Sequence, residues 1–246
     1  MLNAPPRIQS MSLRVLKSNA EVKSARNELH ASGLSSLDGW WPQTAFKLRL
    51  RSAPVVGDVR KSWDVLETAR FLQAHVERNE TVLDIGARGS EMLPVLKKLG
   101  YQKLIGVDLD PSVMQMPRLD VIDYRVANFM NTDLADGSCS AVTAISVIEH
   151  GYDPAGLFRE VARLLRPGGH FIASFDYWPD KLNTDGISLF GMSWRIFSQD
   201  DVRQTISDAA GYGLRPAGDM RPEAGTPVIH FEGYDYTFAW LALTKD

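Results

Sequence analysis

Two short runs carry the residues whose types and spacing could do chemistry: Val82-Leu83-Asp84-Ile85-Gly86-Ala87-Arg88-Gly89-Ser90 and, further on, Ile105-Gly106-Val107-Asp108. The first reads as a strand running into a glycine-bearing turn. The second reads as a strand that ends on a carboxylate. With a helix between them they form a βαβ unit, which sets backbone N–H groups and a helix N-terminus at the carboxyl edge of a sheet. Asp108 follows Gly86 by 22 residues, near the ~20-residue spacing at which such an acid meets the two hydroxyls of a ribose. A nucleoside-containing cofactor is the first chemistry this spacing implies. The glycines do not fit a dinucleotide. Counted from Gly86, the two further glycines of a G-x-G-x-x-G fingerprint fall on Arg88 and Glu91, which argues against NAD or FAD. No G-x-x-x-x-G-K-[ST] run occurs, so a P-loop is unsupported.

The elements that must position these residues alternate along the chain. Strands are expected over 81–85, 103–107, 121–126, 141–147 and 170–175, with a last strand over 234–243. The apolar run 141–147 suits a strand covered on both faces. Helices are expected over 18–30, from Ser62 onward, over 91–99, from Pro154 to Leu165, and from Ser198 to Ala210. Ser62 can cap a helix whose Val65, Leu66, Ala69, Leu72 and Val76 recur at helical spacing. Arg166-Pro167-Gly168-Gly169 is expected to close the fourth of these helices. Alternation of this kind predicts an α/β fold, Rossmann-like and doubly wound, with a mostly parallel sheet and helices on both faces. Residues 1–61 are expected to form an N-terminal extension, a candidate lid or substrate segment, and 62–246 the domain itself. Trp40, Trp41 and Trp63 are expected to pack that extension onto the domain.

A chain of 246 residues, 44% hydrophobic, can bury a large core. Residues 1–78 hold 12 Lys and Arg against 7 Asp and Glu, the remainder 15 against 23. This asymmetry lacks the basic run of a nucleic-acid site, so nucleic acid is not an expected partner. Cys139 is the single cysteine, which excludes an intramolecular disulfide and a cysteine-based metal cluster. It is expected in a turn beside Asp136-Gly137-Ser138. The five histidines show no metal-ligand spacing, so no metal is expected. No signal peptide and no ~20-residue apolar stretch is visible. A soluble, cytoplasmic protein without membrane insertion is expected.

From about Thr81 to Phe175 the sequence resembles the class I S-adenosylmethionine-dependent methyltransferases, particularly their small-molecule branch. The resemblance rests on the Asp84–Ser90 turn, Gly106-Val107-Asp108-Leu109-Asp110-Pro111-Ser112, Asp136-Gly137-Ser138-Cys139-Ser140, Val147-Ile148-Glu149-His150 and Leu164-Leu165-Arg166-Pro167-Gly168-Gly169, in that order. It implies a seven-stranded sheet with an antiparallel last strand, and S-adenosyl-L-methionine as cofactor. By the same resemblance Asp84 and Gly86 would lie under the methionine half, Asp108 would accept from the ribose hydroxyls and Leu109 would pack on the adenine. Asn128, with Phe129 beside it, would read the adenine amino group, and Ser146 would border the methyl. Arg88 and Ser90 stand where the family often has glycines. Arg88 could pair with the cofactor's carboxylate or close the site, and Gly89 could free the turn in another register.

Methyl transfer asks mainly for positioning, and for a base where the acceptor is an alcohol. His150, just past the 141–147 strand, is the first candidate base. Asp176 and Tyr177, which follow 170–175 at the same edge, are the others. With Trp178, Trp194 and His230 they could form an acceptor wall suited to a small molecule or a glycan, with methylation at oxygen. Glu149 could bond a backbone amide. A non-catalytic cofactor-binding or scaffold protein on the same fold is the alternative reading.

Overall fold

Strand and helix signals alternate from residue 62 onward, and the computed structural model, which describes residues 11–37, 54–117 and 120–246, assembles them around a single sheet. Its strands are β1 (Met11–Val15), β2 (Thr81–Ile85), β3 (Lys103–Asp108), β4 (Ile122–Val126), β5 (Cys139–Ile145), β6 (Leu165–Tyr177), and β12 (Tyr234–Lys245). These seven run in the order β1-β12-β6-β5-β2-β3-β4. The pairs β2–β3, β2–β5, β3–β4 and β5–β6 are parallel, while β12 runs antiparallel to β6, with Thr237 opposite Tyr177 and Thr244 opposite His170. Short strands decorate the rest: β7 (Ser188–Leu189) pairs with β8 (Met192–Ser193), β9 (Leu214–Pro216) and β11 (Ile229–Phe231) pair with β12, and β10 (Asp219–Met220) pairs with β1.

The seventh strand comes from the N-terminus. β1 pairs antiparallel with β12, Leu13 opposite Leu241, and α1 (Asn19–Ala31) packs on α2 (Ser62–His75). Residues 11–37 therefore belong to the same layered unit as the remainder, and the boundary expected at 61/62 falls inside a continuous helical segment. Asp58 caps a 3-10 turn, Val59–Lys61, that runs directly into α2. Trp63, in α2, is buried, while Trp40 and Trp41 lie outside the described residues.

Both faces of the sheet are covered, so its strands carry apolar side chains on both sides. Phe238, Trp240 and Ala242 face the layer of α1, α2 and α3 (Met92–Lys98). Ala239, Leu241 and Leu243 face α4 (Pro154–Leu164) and α5 (Gln199–Ala210). This is the two-residue alternation of a pleated strand. α2 is buried over most of its surface because it lies between the sheet and α1. Three of its polar residues are paired there: Thr68 accepts from Trp240 Nε1 at 2.9 Å, Glu67 pairs with Arg14 and Arg70, and Arg70 pairs with Glu28 of α1. Two local expectations are corrected. Cys139 begins β5 and is buried, because the tight turn ends at Ser138. The Arg166–Gly169 run lies within β6, which starts at Leu165 opposite Cys139 and shifts register before resuming at His170. Among the described residues no helix is long and apolar enough to cross a membrane.

Gly106 of β3 makes the βαβ packing close. A Cβ there would stand 2.7 Å from Tyr124 Cδ1 and 2.9 Å from both Ala87 Cβ and Leu93 Cδ1. Gly106→Ala is expected to destabilise the fold by about 1–3 kcal/mol through overpacking, read by chemical denaturation; a neutral result would mean that α3 shifts without cost.

Candidate active site

β2 leads straight into the turn at 86–90, where Gly86 and Gly89 both sit at φ +73, a region glycine enters without steric penalty. A Cβ on Gly86 would collide with Val147 Cγ2. The amides of Gly86 and Ala87 both donate to Val107 O, at 2.9 and 3.1 Å, and Arg88 N donates to Asp108 Oδ2 at 2.9 Å. The turn is thus held onto the end of β3 by its own backbone. Asp108 Oδ1 accepts from Asp110 N at 2.9 Å, and each carboxylate oxygen keeps a further acceptor position. Behind the turn Asp84 is buried and accepts from Thr143 Oγ1 at 2.6 Å. Its Oδ2 has no hydrogen-bond partner among the described residues, and burial pushes its carboxyl up to about 7.

The carboxyl ends of β2, β3, β4 and β5 open on a cavity of about 730 Å³. Gly86, Arg88, Asp108, Leu109, Asn128, Phe129 and Ser146 all line it, whereas Asp84 lies behind its wall. Leu109 is 53% exposed there, an apolar side chain open to a flat partner. Asn128 Oδ1 accepts from Met130 N at 3.0 Å, which leaves its amide donors and a second lone pair. Ser146 stands at φ +53 with its Oγ buried and unpartnered among the described residues. A non-glycine residue in this region costs on the order of 1–3 kcal/mol and recurs at functional sites. A strained serine with an orphaned hydroxyl, a glycine cradle that excludes a side chain, and a carboxylate with spare acceptor positions fit a nucleoside joined to a charged tail.

Arg88 is engaged elsewhere than the sequence expectation placed it. Its Nε lies 2.7 Å from Ser112 Oγ and 3.0 Å from Asp110 Oδ2, so the guanidinium is tied to the segment after β3 and its bulk leaves the cavity open. Glu91, the other misfit in the glycine pattern, is buried in a bidentate pair with Arg26 of α1, at 2.9 and 3.2 Å.

The other end of the cavity is formed by Lys61, His150, Phe190 and Met192. Phe190, at the tip of the β7–β8 hairpin and 84% exposed, meets the His150 ring edge-on at 5.3 Å. His150 Nδ1 is buried without a partner among the described residues. Burial, and then the Lys61 charge, hold the imidazole down to about 4, so it is neutral at neutral pH but a weak base.

The remaining expected wall is not there. β6 continues through Asp176 and Tyr177, still paired with β12, so both residues stay inside the sheet layers. Asp176 is buried and accepts from the buried Trp194 Nε1 at 2.8 Å, and Tyr177 OH donates to Pro222 O at 2.7 Å. His230 is exposed on the β11–β12 hairpin, 2.7 Å from Asp235. None of these four lines the cavity. Lys61, Phe190 and Met192 escaped the sequence reading because a lysine before a helix and a loop phenylalanine carry no spacing signal. Among the described residues no group of His, Cys, Asp and Glu is arranged to hold a metal ion.

Comparison with known proteins bears on this geometry. Residues 83–173 match the family model of the methyltransferase domain. A ubiquinone biosynthesis O-methyltransferase of Xanthomonas oryzae pv. oryzae is 37% identical over 102 residues, 38% of this chain and 41% of that protein. Its counterpart in Xanthomonas campestris pv. campestris is 36% identical with the same coverage. The chain thus spans about two fifths of the length of the curated relatives it matches. Among solved structures, a geranyl diphosphate methyltransferase in complex with S-adenosylmethionine superposes with a TM-score of 0.54 at 18% identity, over 75% of this chain and 88% of that one. The geranyl diphosphate C-methyltransferase of Streptomyces coelicolor A3(2) gives 0.53 at 18% identity, over 78% and 88%. At these identities the structural likeness speaks for the fold.

The His150 environment is open to direct measurement. An imidazole whose native value is below its unfolded ~6.5 contributes stability that is complete above that value and is lost as the pH falls toward 4. In an NMR titration with His150→Gln as the assignment control, the His150 ring resonances are expected to stay flat from pH 8 to 5. The variant is expected to flatten the decline of stability over the same range. A midpoint near 6.5 would place the ring in water.

Proposed function

We propose that this chain is a class I S-adenosylmethionine-dependent methyltransferase, which transfers a methyl group from S-adenosylmethionine to an oxygen of a small-molecule acceptor; the match of residues 83–173 to the methyltransferase domain supports the reading. The observation that carries the reading is the shared cavity: the Gly86 turn, the Asp108 carboxylate and the strained Ser146 line one part of it, while His150 and Lys61 line another. Asp108 would hold the ribose hydroxyls, Leu109 and Phe129 would flank the adenine and Asn128 would meet its amino group. Gly86, with Asp84 behind it, would admit the methionine half, and Ser146 would border the methyl. Bound there, the cofactor supplies a methyl already activated on a sulfonium, whose sulfur keeps the electron pair of the broken bond.

The chain's own part is to orient the acceptor and exclude water. Holding the nucleophile aligned contributes on the order of 7–11 kcal/mol toward the barrier. His150, neutral at neutral pH, can take the hydroxyl proton. Oxygen as the acceptor atom is supported by the O-methyltransferase names of the relatives. A glycan draws less support, since Asp176 and Trp194, the carboxylate and ring plane it would use, are turned into the core.

Calorimetric titration with S-adenosylhomocysteine tests the cofactor half. Binding is expected in the wild type, and Asp108→Ala is expected to weaken it tenfold or more, the loss of charge-assisted hydrogen bonds. Failure of the wild type to bind would sink the reading. Arg88→Gly should change affinity less than about threefold, because the guanidinium is held by Asp110 and Ser112 while the Arg88 amide, not its side chain, meets Asp108. A tenfold loss in that variant would restore a direct cofactor contact to Arg88.

A further inference from the structure

We propose that Lys61 makes this site selective for acidic hydroxyls, phenols or enols, by holding the acceptor's oxyanion at the His150 end of the cavity. The inference rests on the methyltransferase reading and deepens it to a substrate class.

Position comes first. Lys61 closes the 3-10 turn ahead of α2 and lines the cavity together with His150. Its Nζ lies 3.4 Å over the Phe238 ring, and Phe238 sits opposite Asp176 in the β12–β6 ladder. The ammonium therefore belongs to the β6–β12 side of the sheet, with β5 and β2 between it and Asp108 at the end of β3. That is the side away from the proposed ribose contact.

Charge comes second. The titratable groups within electrostatic reach of Lys61 are Asp58 from its own turn, Asp64 from α2, Glu149 and His150 after β5 and Asp176 from β6. Asp58 and Arg60 neutralise each other at 3.0 Å. Asp64, Glu149 and Asp176 are buried, and burial raises all three carboxyls. Among the described residues no carboxylate lies within ion-pair distance of Lys61, whose Nζ rests on the Phe238 ring. A cation in the cavity wall with no anion paired to it is suited to an anionic oxygen of a ligand.

The weak base completes the argument. An imidazole held down to about 4 by burial is a poor match for the proton of an alkyl alcohol. A phenolic or enolic hydroxyl brings its own acidity, and a cation beside it lowers its pKa further. The O–H proton passes to His150 or to water, and the oxygen keeps the pair that forms the new O–C bond.

The probe is 4-nitrophenol, whose phenolate absorbs in the visible, added to the full chain saturated with S-adenosylhomocysteine. Bound probe is expected to ionise at least one pH unit lower than free probe, a tenfold preference for phenolate. Lys61→Met is expected to abolish the shift and Lys61→Arg to keep it, with S-adenosylhomocysteine affinity equal in all three proteins, which also certifies their folding. Absence of probe binding, or an equal shift in Lys61→Met, overturns the inference. So does a tenfold loss of S-adenosylhomocysteine affinity in Lys61→Met, which would give the lysine to the cofactor. A wild type that fails to bind S-adenosylhomocysteine instead overturns the proposed function.

Discussion

The approach of the β2 turn to the end of β3 is the constraint on which the rest of the site depends. Two amides converge on Val107 O and a third on Asp108, so the turn and the carboxylate form one backbone-built object. That object exists only if β2 and β3 stay in parallel register, Asp84 opposite Gly106 and Ile85 opposite Val107. Two absent side chains enforce it. Gly86 leaves room for Val147 from the loop after β5, and Gly106 leaves room for Tyr124, Ala87 and Leu93. A side chain at either place would separate the strands or lift the helix, and the cavity mouth would move with them. Gly89 supplies the second left-handed residue, so Arg88 and Ser90 need no unusual conformation.

The acidic interior beside this edge follows from a second constraint. Asp64, Glu149 and Asp176 come from a helix, a loop and a strand, and the packing buries all three within the electrostatic reach of one lysine. Three carboxylates out of water, with one ammonium between them, would carry a large desolvation cost. Burial accordingly raises all three carboxyls, which disfavours their charged forms. The same burial weakens their claim on Lys61, whose Nζ rests on the Phe238 ring while the residue lines the cavity.

The sequence made legible what is local. The Gly86 turn, the strand ending at Asp108 and the helix that starts at Ser198 declare themselves within a few residues, and the structure holds them where the local signals put them. What remained hidden depends on partners distant in sequence. β1 carries no alternation that distinguishes it from a loop until β12 pairs with it, more than two hundred residues later. Glu91 looks like a fault in a glycine pattern until Arg26 meets it from α1. Asp176 and Tyr177 read as loop residues after Phe175, because nothing local reveals that β12 extends the ladder past them to Thr237.

These origins bear on which parts of the cavity a family likeness can describe. The segment matched to the methyltransferase domain, 83–173, contains Asp84, Gly86, Asp108, Leu109, Asn128, Phe129, Ser146 and His150. Lys61, Phe190 and Met192 line the same cavity from outside that segment. Similarity to the Xanthomonas O-methyltransferases is confined to about two fifths of either chain. The family match therefore speaks to the proposed cofactor contacts and to the base, while Lys61, Phe190 and Met192 lie outside it. The acceptor's class has to be argued from the 3-10 turn at 59–61 and the 188–193 hairpin, where a cation, an exposed ring and a thioether share the cavity with a histidine whose basicity burial lowers.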